Sequence, residues 1–306
     1  MTTDARTAAT AHDEDAATVS LSAAGTELLR YHYRPGLPAA ECPMPYAHPL
    51  RTLSGGTVTG NRPHDHRWHK GLSMTASHLS GQNFWGGGTY TPGAPGYGYL
   101  DLPNVGRMDH VRFTAPDSGH GFGEELAWHT ADGEHWITEH RKLAVRDVDP
   151  DGGSWTLEFT SELHNVRAST LEFGSPTVFG RELAGYCGFF WRGPRSFTGG
   201  RVLLSDGTEG EAVMGRPGQW LAFTGRFDGR DGAATLVFTA APDHPGHPPH
   251  WFVRSEPYPV VNPSLAFYDA LPLAAGERLR LAYRLVVADG EWDARRIAAH
   301  LADHPW

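Results

Sequence analysis

A large antiparallel β-sandwich with one short C-terminal helix is the fold the sequence predicts, and three observations predict it. Apolar and polar residues alternate with period two through most of the chain, glycine-rich turn signals separate the alternating runs, and helical spacing occurs only at the end. Runs 134–145, 154–164, 220–227, 234–240 and 278–287 each read as a strand with one apolar face. In the second run Trp155, Leu157 and Phe159 share a face, while Thr156, Glu158 and Thr160 point the other way. Asp132-Gly133, Asp151-Gly152-Gly153, Asp206-Gly207 and Asp228-Gly229 fall between runs, where hairpins need positive φ. Over 291–303, Ile297, Ala298 and Leu301 recur at helical spacing, so a helix caps the domain and Trp306 tucks at the sheet edge. Residues 1–20, rich in Ala, Thr and Asp, read as a disordered tail. Residues 21–306 carry no linker and no repeat, and so read as one domain.

Composition narrows the function. A net charge of -9 with no Lys/Arg cluster argues against nucleic acid and for a small-molecule partner. Cys42 and Cys187, the two cysteines, have neither disulfide nor metal spacing. The first residues lack the basic start and apolar stretch of a signal peptide, and no apolar run reaches the ~18 residues of a membrane span. Cytoplasmic location and no membrane partner are therefore expected, with self-association left open. No strand-linked Gly-x-Gly-x-x-Gly or Gly-x-Ser-x-Gly is present, so neither a nucleotide cofactor nor a serine nucleophile is expected.

The densest polar stretch is Arg62-Pro63-His64-Asp65-His66-Arg67-Trp68-His69-Lys70-Gly71. Extended, it would put His64 and His66 on one face and Asp65 on the other, with His69 returning through the turn. Such a cluster suits a metal, a metal-free catalytic or substrate-binding role, or a loop of hydrogen-bonded histidines. Next come Asn83, Phe84 and Trp85 before Gly86-Gly87-Gly88, a pocket wall in which tryptophan offers a flat face for a sugar ring. His110 is a further ligand or acid/base candidate. Among the carboxylates Glu124, Glu125 and Glu139, Glu139 is the candidate base. Arg192 and Arg195 lie beside aromatics as ligand clamps. In His250-Trp251-Phe252-Val253-Arg254, Arg254 faces the pocket with His250 and Phe252, opposite Trp251 and Val253.

Six stretches together resemble a bacterial family of unknown function labelled methane-oxygenase PmoA-like. They are Pro45-Tyr46-Ala47-His48-Pro49-Leu50-Arg51, Asp65-His66-x-x-His69-Lys70-Gly71-Leu72, Asn83-Phe84-Trp85-Gly86, Trp191-Arg192-Gly193-Pro194, Trp251-Phe252-Val253-Arg254 and Asn262-Pro263. The resemblance implies a galactose-mutarotase-like supersandwich and carbohydrate catabolism. Methane oxidation does not follow, because the membrane copper enzyme needs spanning helices that this sequence lacks. It also implies shared polar positions at Asp65, His66, His69, Asn83, Arg254 and Asn262. Positions His64, Trp68 and Gln82 are more variable in the family, which moves the metal set to His66, His69 and His110.

The expected activity is acid/base chemistry on a sugar, keto sugar or glycoside: hydrolysis, elimination or epimerisation. His66, His69 and Glu139 would be catalytic, and Asp65, Asn83, Trp85, Arg192, Trp251, Arg254 and Asn262 would bind substrate. One divalent ion (zinc, iron or manganese) is the cofactor that chemistry would take. Two alternatives are a non-catalytic carbohydrate-binding module and a cupin-like iron oxygenase.

Overall fold

A computed structural model describes residues 8–114 and 120–306. Two antiparallel sheets pack face to face. The larger has eleven strands, with Ala9–Asp13, Thr18–Ala23, Thr26–His32, Tyr46–Leu50, Leu72–Leu79, Gly188–Arg192, Val260–Ser264 and His250–Arg254 following one another across it. The smaller has eight, in the order Arg201–Leu204, Trp220–Arg226, Ala233–Ala240, Arg278–Asp289, Ser154–Asn165, His135–Asp149, Gly121–His129 and Arg107–Thr114. Every residue ladder within the sheets is antiparallel, as hairpin-linked strands allow.

The predicted runs sit in the smaller sheet within a few residues of their expected ends. The core face predicted for Ser154–Asn165 is also observed, with Trp155 and Leu157 0% exposed and Phe159 2%. The expected turn glycines Gly133, Gly153, Gly207 and Gly229 all have positive φ. One hydrophobic cluster fills the space between the sheets, drawing Leu29, Met74, Phe189, Trp191 and Trp251 from the larger and Trp128, Leu157, Phe238 and Leu285 from the smaller. The helix Ala294–Asp303 lies on the opposite face of the smaller sheet, where Ile297 and Trp292 pack on Val237 and Val286. Asp293 caps it by accepting from the Arg296 amide at 2.8 Å. Trp306 stacks under the Arg284 guanidinium at 4.5 Å and stays 43% exposed.

The N-terminal segment departs from expectation. Within the predicted tail, Ala9–Asp13 pairs with Thr18–Ala23, which in turn pairs with Thr26–His32. Val19, Leu21 and Ala23 point into the core, so a short alternating apolar set outweighs the polar composition around it. Residues 1–7 of that tail lie outside the described residues.

Strand alternation in the larger sheet fixes where a site can form. Phe189 and Trp191 enter the interior, so Phe190 and Arg192 face outward; Trp251 and Val253 do the same for Phe252 and Arg254. The outward face carries its own aromatic cluster, Trp85, Phe190, Phe252, Val260 and Phe267, with Trp68, Tyr186 and Tyr258 packed on it.

Candidate functional site

A cavity of about 900 Å³ opens on this outward face. Its size suits a small-molecule pocket. Trp68, Trp85, Tyr99, Tyr186, Phe190, Phe252 and Tyr258 form its walls, His66 and His69 stand at one side, and Arg181 and Arg254 complete it. The short hairpin Thr89–Tyr90 with Tyr99–Leu100 leans over one edge, presenting Pro95, Gly96 and Tyr97.

The histidine loop is built by turns and not by an extended strand. The His66 amide donates to Pro63 O at 3.0 Å and the His69 amide to His66 O at 2.9 Å, which brings the two rings to 4.9 Å between centroids. Glu41 clamps the loop: its carboxylate accepts from Arg62 at 2.6 Å and from Arg67 at 3.0 Å. Beneath it, the fully buried Lys70 ammonium donates to the carbonyls of Glu41 and Cys42. Burial pushes the Lys70 pKa down to about 8. Gly86 and Gly87 let Trp68 in: a Cβ on either would lie 2.7 Å from a Trp68 carbon. Those two glycines thus make room for a tryptophan side chain.

The two histidines occupy different environments. His69 is 4% exposed, and its Nδ1 accepts from the Arg192 guanidinium at 3.2 Å, which leaves the proton on Nε2. Burial first, and then the Arg192 charge, hold its pKa well below the ordinary value, so the ring is neutral. His66 is half-buried; its Nε2 lies 3.4 Å from the Tyr258 hydroxyl and its Nδ1 3.5 Å from an Asp65 oxygen. Burial lowers its pKa, Asp65 pushes back up, and Arg192 lowers it further. Asp65 also accepts from Arg195 at 3.2 Å, and His64 turns outward to that same arginine at 3.1 Å.

Of the sequence candidates, the structure brings His66, His69, Trp85 and Arg254 to the cavity wall, with Arg192 directly behind His69 and Asp65 beside His66. Others lie elsewhere. Glu139 is 0% exposed between the sheets, where it accepts two bonds from Arg141, one from Trp128 Nε1 and one from Ser161, so it reaches no cavity. His110 bonds to Glu124 at 2.7 Å in that same interior, apart from His66 and His69. Trp251 is an interior side chain bonded to Gly218 O at 3.0 Å, as its alternation with Phe252 requires. Asn262 and Asn83 are struts. Asn262 joins the Cys187 amide to Phe189 O, and Asn83 accepts from the Trp85 and Gly86 amides, shaping the loop that carries Trp85.

The proposed metal set therefore does not assemble. Among the described residues no group of three or more His, Cys, Asp or Glu side chains is placed to hold an ion. At the cavity itself one nitrogen of His69 is taken and a guanidinium stands beside it, so the residues present do not fit a cation. Sequence reasoning missed Arg181, Tyr99, Tyr186, Phe190 and Tyr258 as lining residues, and set Trp68 aside as variable. Phe190 was accessible from alternation with the core residues Phe189 and Trp191; loop residues such as Arg181 carried no periodic signal.

A family model described as a family of unknown function, DUF6807, matches residues 18–302. The chain belongs to that family. Its description names no methane oxygenase and no activity. No curated protein matches the chain. Nor is any helix among the described residues long and apolar enough to cross a membrane. For this DUF6807 member the functional reading rests on the cavity.

Proposed function

We propose that the chain is an enzyme that holds a sugar-like molecule against the aromatic wall of the cavity and moves a proton on it. The observation that carries this reading is the histidine pair, two adjacent imidazoles held in different roles. His66, with its pKa lowered and flanked by Asp65 and Tyr258, is a general base at neutral pH. His69, locked neutral with its proton on Nε2, is a hydrogen-bond donor, and the charge of Arg192 on its other nitrogen strengthens it.

This set favours proton abstraction beside a carbonyl. His66 takes a proton from the carbon next to a sugar carbonyl, the electron pair moves onto the carbonyl oxygen, and His69 Nε2–H stabilises the resulting enolate. Protonation of that carbon from the opposite face by solvent water, with the proton held by His66 passing to solvent, gives epimerisation; loss of a leaving group from the neighbouring carbon as the carbonyl re-forms gives elimination. Hydrolysis by a carboxylate pair is less well supported, because the lining residues described include no Asp or Glu. Trp68 and Trp85 supply stacking faces for the ring.

Deuterium exchange tests the reading. Aldoses, ketoses and keto sugars are incubated with the enzyme in D2O and the C–H signal beside the carbonyl is followed by NMR. Loss of that signal with wild type but not with His66→Gln is the expected result. Ligands that bind at the cavity without any exchange would favour the second reading, a carbohydrate-binding module, for which the density of aromatic rings in the wall speaks.

A further inference from the structure

Three guanidinium groups gather at the cavity with no carboxylate of the described residues within ion-pair distance; the charge of Asp65, itself paired with Arg195, reaches Arg192 only from further off. Arg192 is 1% exposed, and its side-chain contacts are His69 Nδ1 and the face of Tyr258, 4.2 Å from the ring centre. Arg254 lies over Phe252 at 5.7 Å, and Arg181 bonds to the Tyr99 hydroxyl and lies over that ring at 4.9 Å. None of the three has an ion-pair partner among the described residues. The contrast is sharpest between the two buried arginines: Arg141 is bonded to Glu139, whereas Arg192 has no carboxylate within ion-pair distance among the described residues. A buried cation without a counter-charge is costly, and it is retained where something else supplies the charge.

The three are joined through one aromatic wall. The Tyr99 hydroxyl meets that of Tyr186 at 2.7 Å, and Tyr186 packs on Phe252 at 5.2 Å, linking Arg181 to Arg254. The Tyr258 hydroxyl reports the same convergence: burial raises its pKa, with a smaller push from Asp65, and Arg192, Arg254 and Arg181 each pull it back.

We propose that the cavity takes an anionic sugar, one whose carboxylate is received by Arg254 and Arg181 while its ring rests on the tryptophans. This rests on the sugar-binding reading above and narrows it to sugar acids. Arginine suits the task because its planar donor fork matches a carboxylate with two parallel hydrogen bonds. Arg192, behind His69, supplies a field of the same sign and draws the anion toward the histidine pair.

Calorimetric titration of the full chain with D-glucuronate, D-galacturonate, D-glucose, D-galactose, acetate and inorganic phosphate tests this. A uronate is expected to bind at least tenfold more tightly than its neutral counterpart, with binding weakened by added salt. Arg254→Gln and Arg181→Gln should each remove most of that preference, with Arg254→Lys retaining part of it; circular dichroism confirms that each variant is folded. Equal binding of glucose and glucuronate would overturn the anionic assignment and leave the sugar reading standing. Binding of acetate or phosphate as tightly as uronate, with no neutral sugar bound, would overturn the sugar reading. Failure of all six probes to bind would overturn both.

Discussion

Between the sheets and on the outer face of the larger one lie two clusters of ionisable side chains built on opposite terms. The interior cluster is closed. Glu139 receives Arg141 through both oxygens, Trp128 and Ser161; Arg141 also donates to Tyr31; Tyr31 and His110 bond to Glu124. Burial alone would lower the Arg141 pKa, but the Glu139 carboxylate outweighs it and holds the charge in place. The outer cluster is open. Arg192, Arg254 and Arg181 have no ion-pair partner among the described residues, His69 is neutral, and the rings around them leave a cavity. A network whose groups satisfy one another is structure, whereas one left electrically incomplete invites a ligand.

Breaking the closed cluster should cost the most. Arg141→Met leaves the Glu139 charge buried without its partner and is expected to lower unfolding free energy by about 3–5 kcal/mol, read by urea denaturation. In the open cluster, His66→Gln should cut turnover by about 10²–10⁴-fold, the usual share of a general base, while shifting stability by less than about 1 kcal/mol. The reverse pattern, stability lost and turnover kept, would erase the distinction between the two regions.

Acidification sharpens the comparison. His66 and His69 have pKa values lowered in the fold, so below the ordinary histidine value of about 6.5 the unfolded chain binds more protons than the folded one. Their contribution is therefore present above that pH and is lost as the pH falls. Melting temperatures measured from pH 7 down to about 5 should decline, and His69→Gln should decline less steeply. The smallest effect is expected for Arg192→Met. Removing an uncompensated buried charge should leave stability within about 1 kcal/mol of wild type or raise it, while weakening the binding of sugar acids.

Much of the fold was legible in the sequence because period-two alternation is a local signal. Trp155, Leu157 and Phe159 declared their face, and Arg254 declared its own by opposing Trp251. The hairpin from Ala9 to Ala23 was hidden because its apolar residues are few and short, and only pairing with Thr26–His32 makes them a core face. The site was half legible. His66 and His69 stood out as a cluster, but Glu139 and His110 looked equally reactive until their interior partners were seen. Arg181 and Tyr258 reach the cavity through loops, and loops place residues by tertiary contact and not by spacing.

Indole N–H resonances give the most direct test that the outer cavity, and not the interior cluster, is where the chain meets its ligand. Six of the ten tryptophans serve the comparison: Trp68 and Trp85 line the cavity, while Trp128, Trp155, Trp191 and Trp251 are fully buried between the sheets. With 15N-labelled tryptophan, titration with D-glucose, D-galactose, D-glucuronate and D-galacturonate should move the Trp68 and Trp85 signals and leave the four interior signals in place. Signals of Trp68 and Trp85 that stay fixed with every sugar, or shifts confined to the interior tryptophans, would contradict the account.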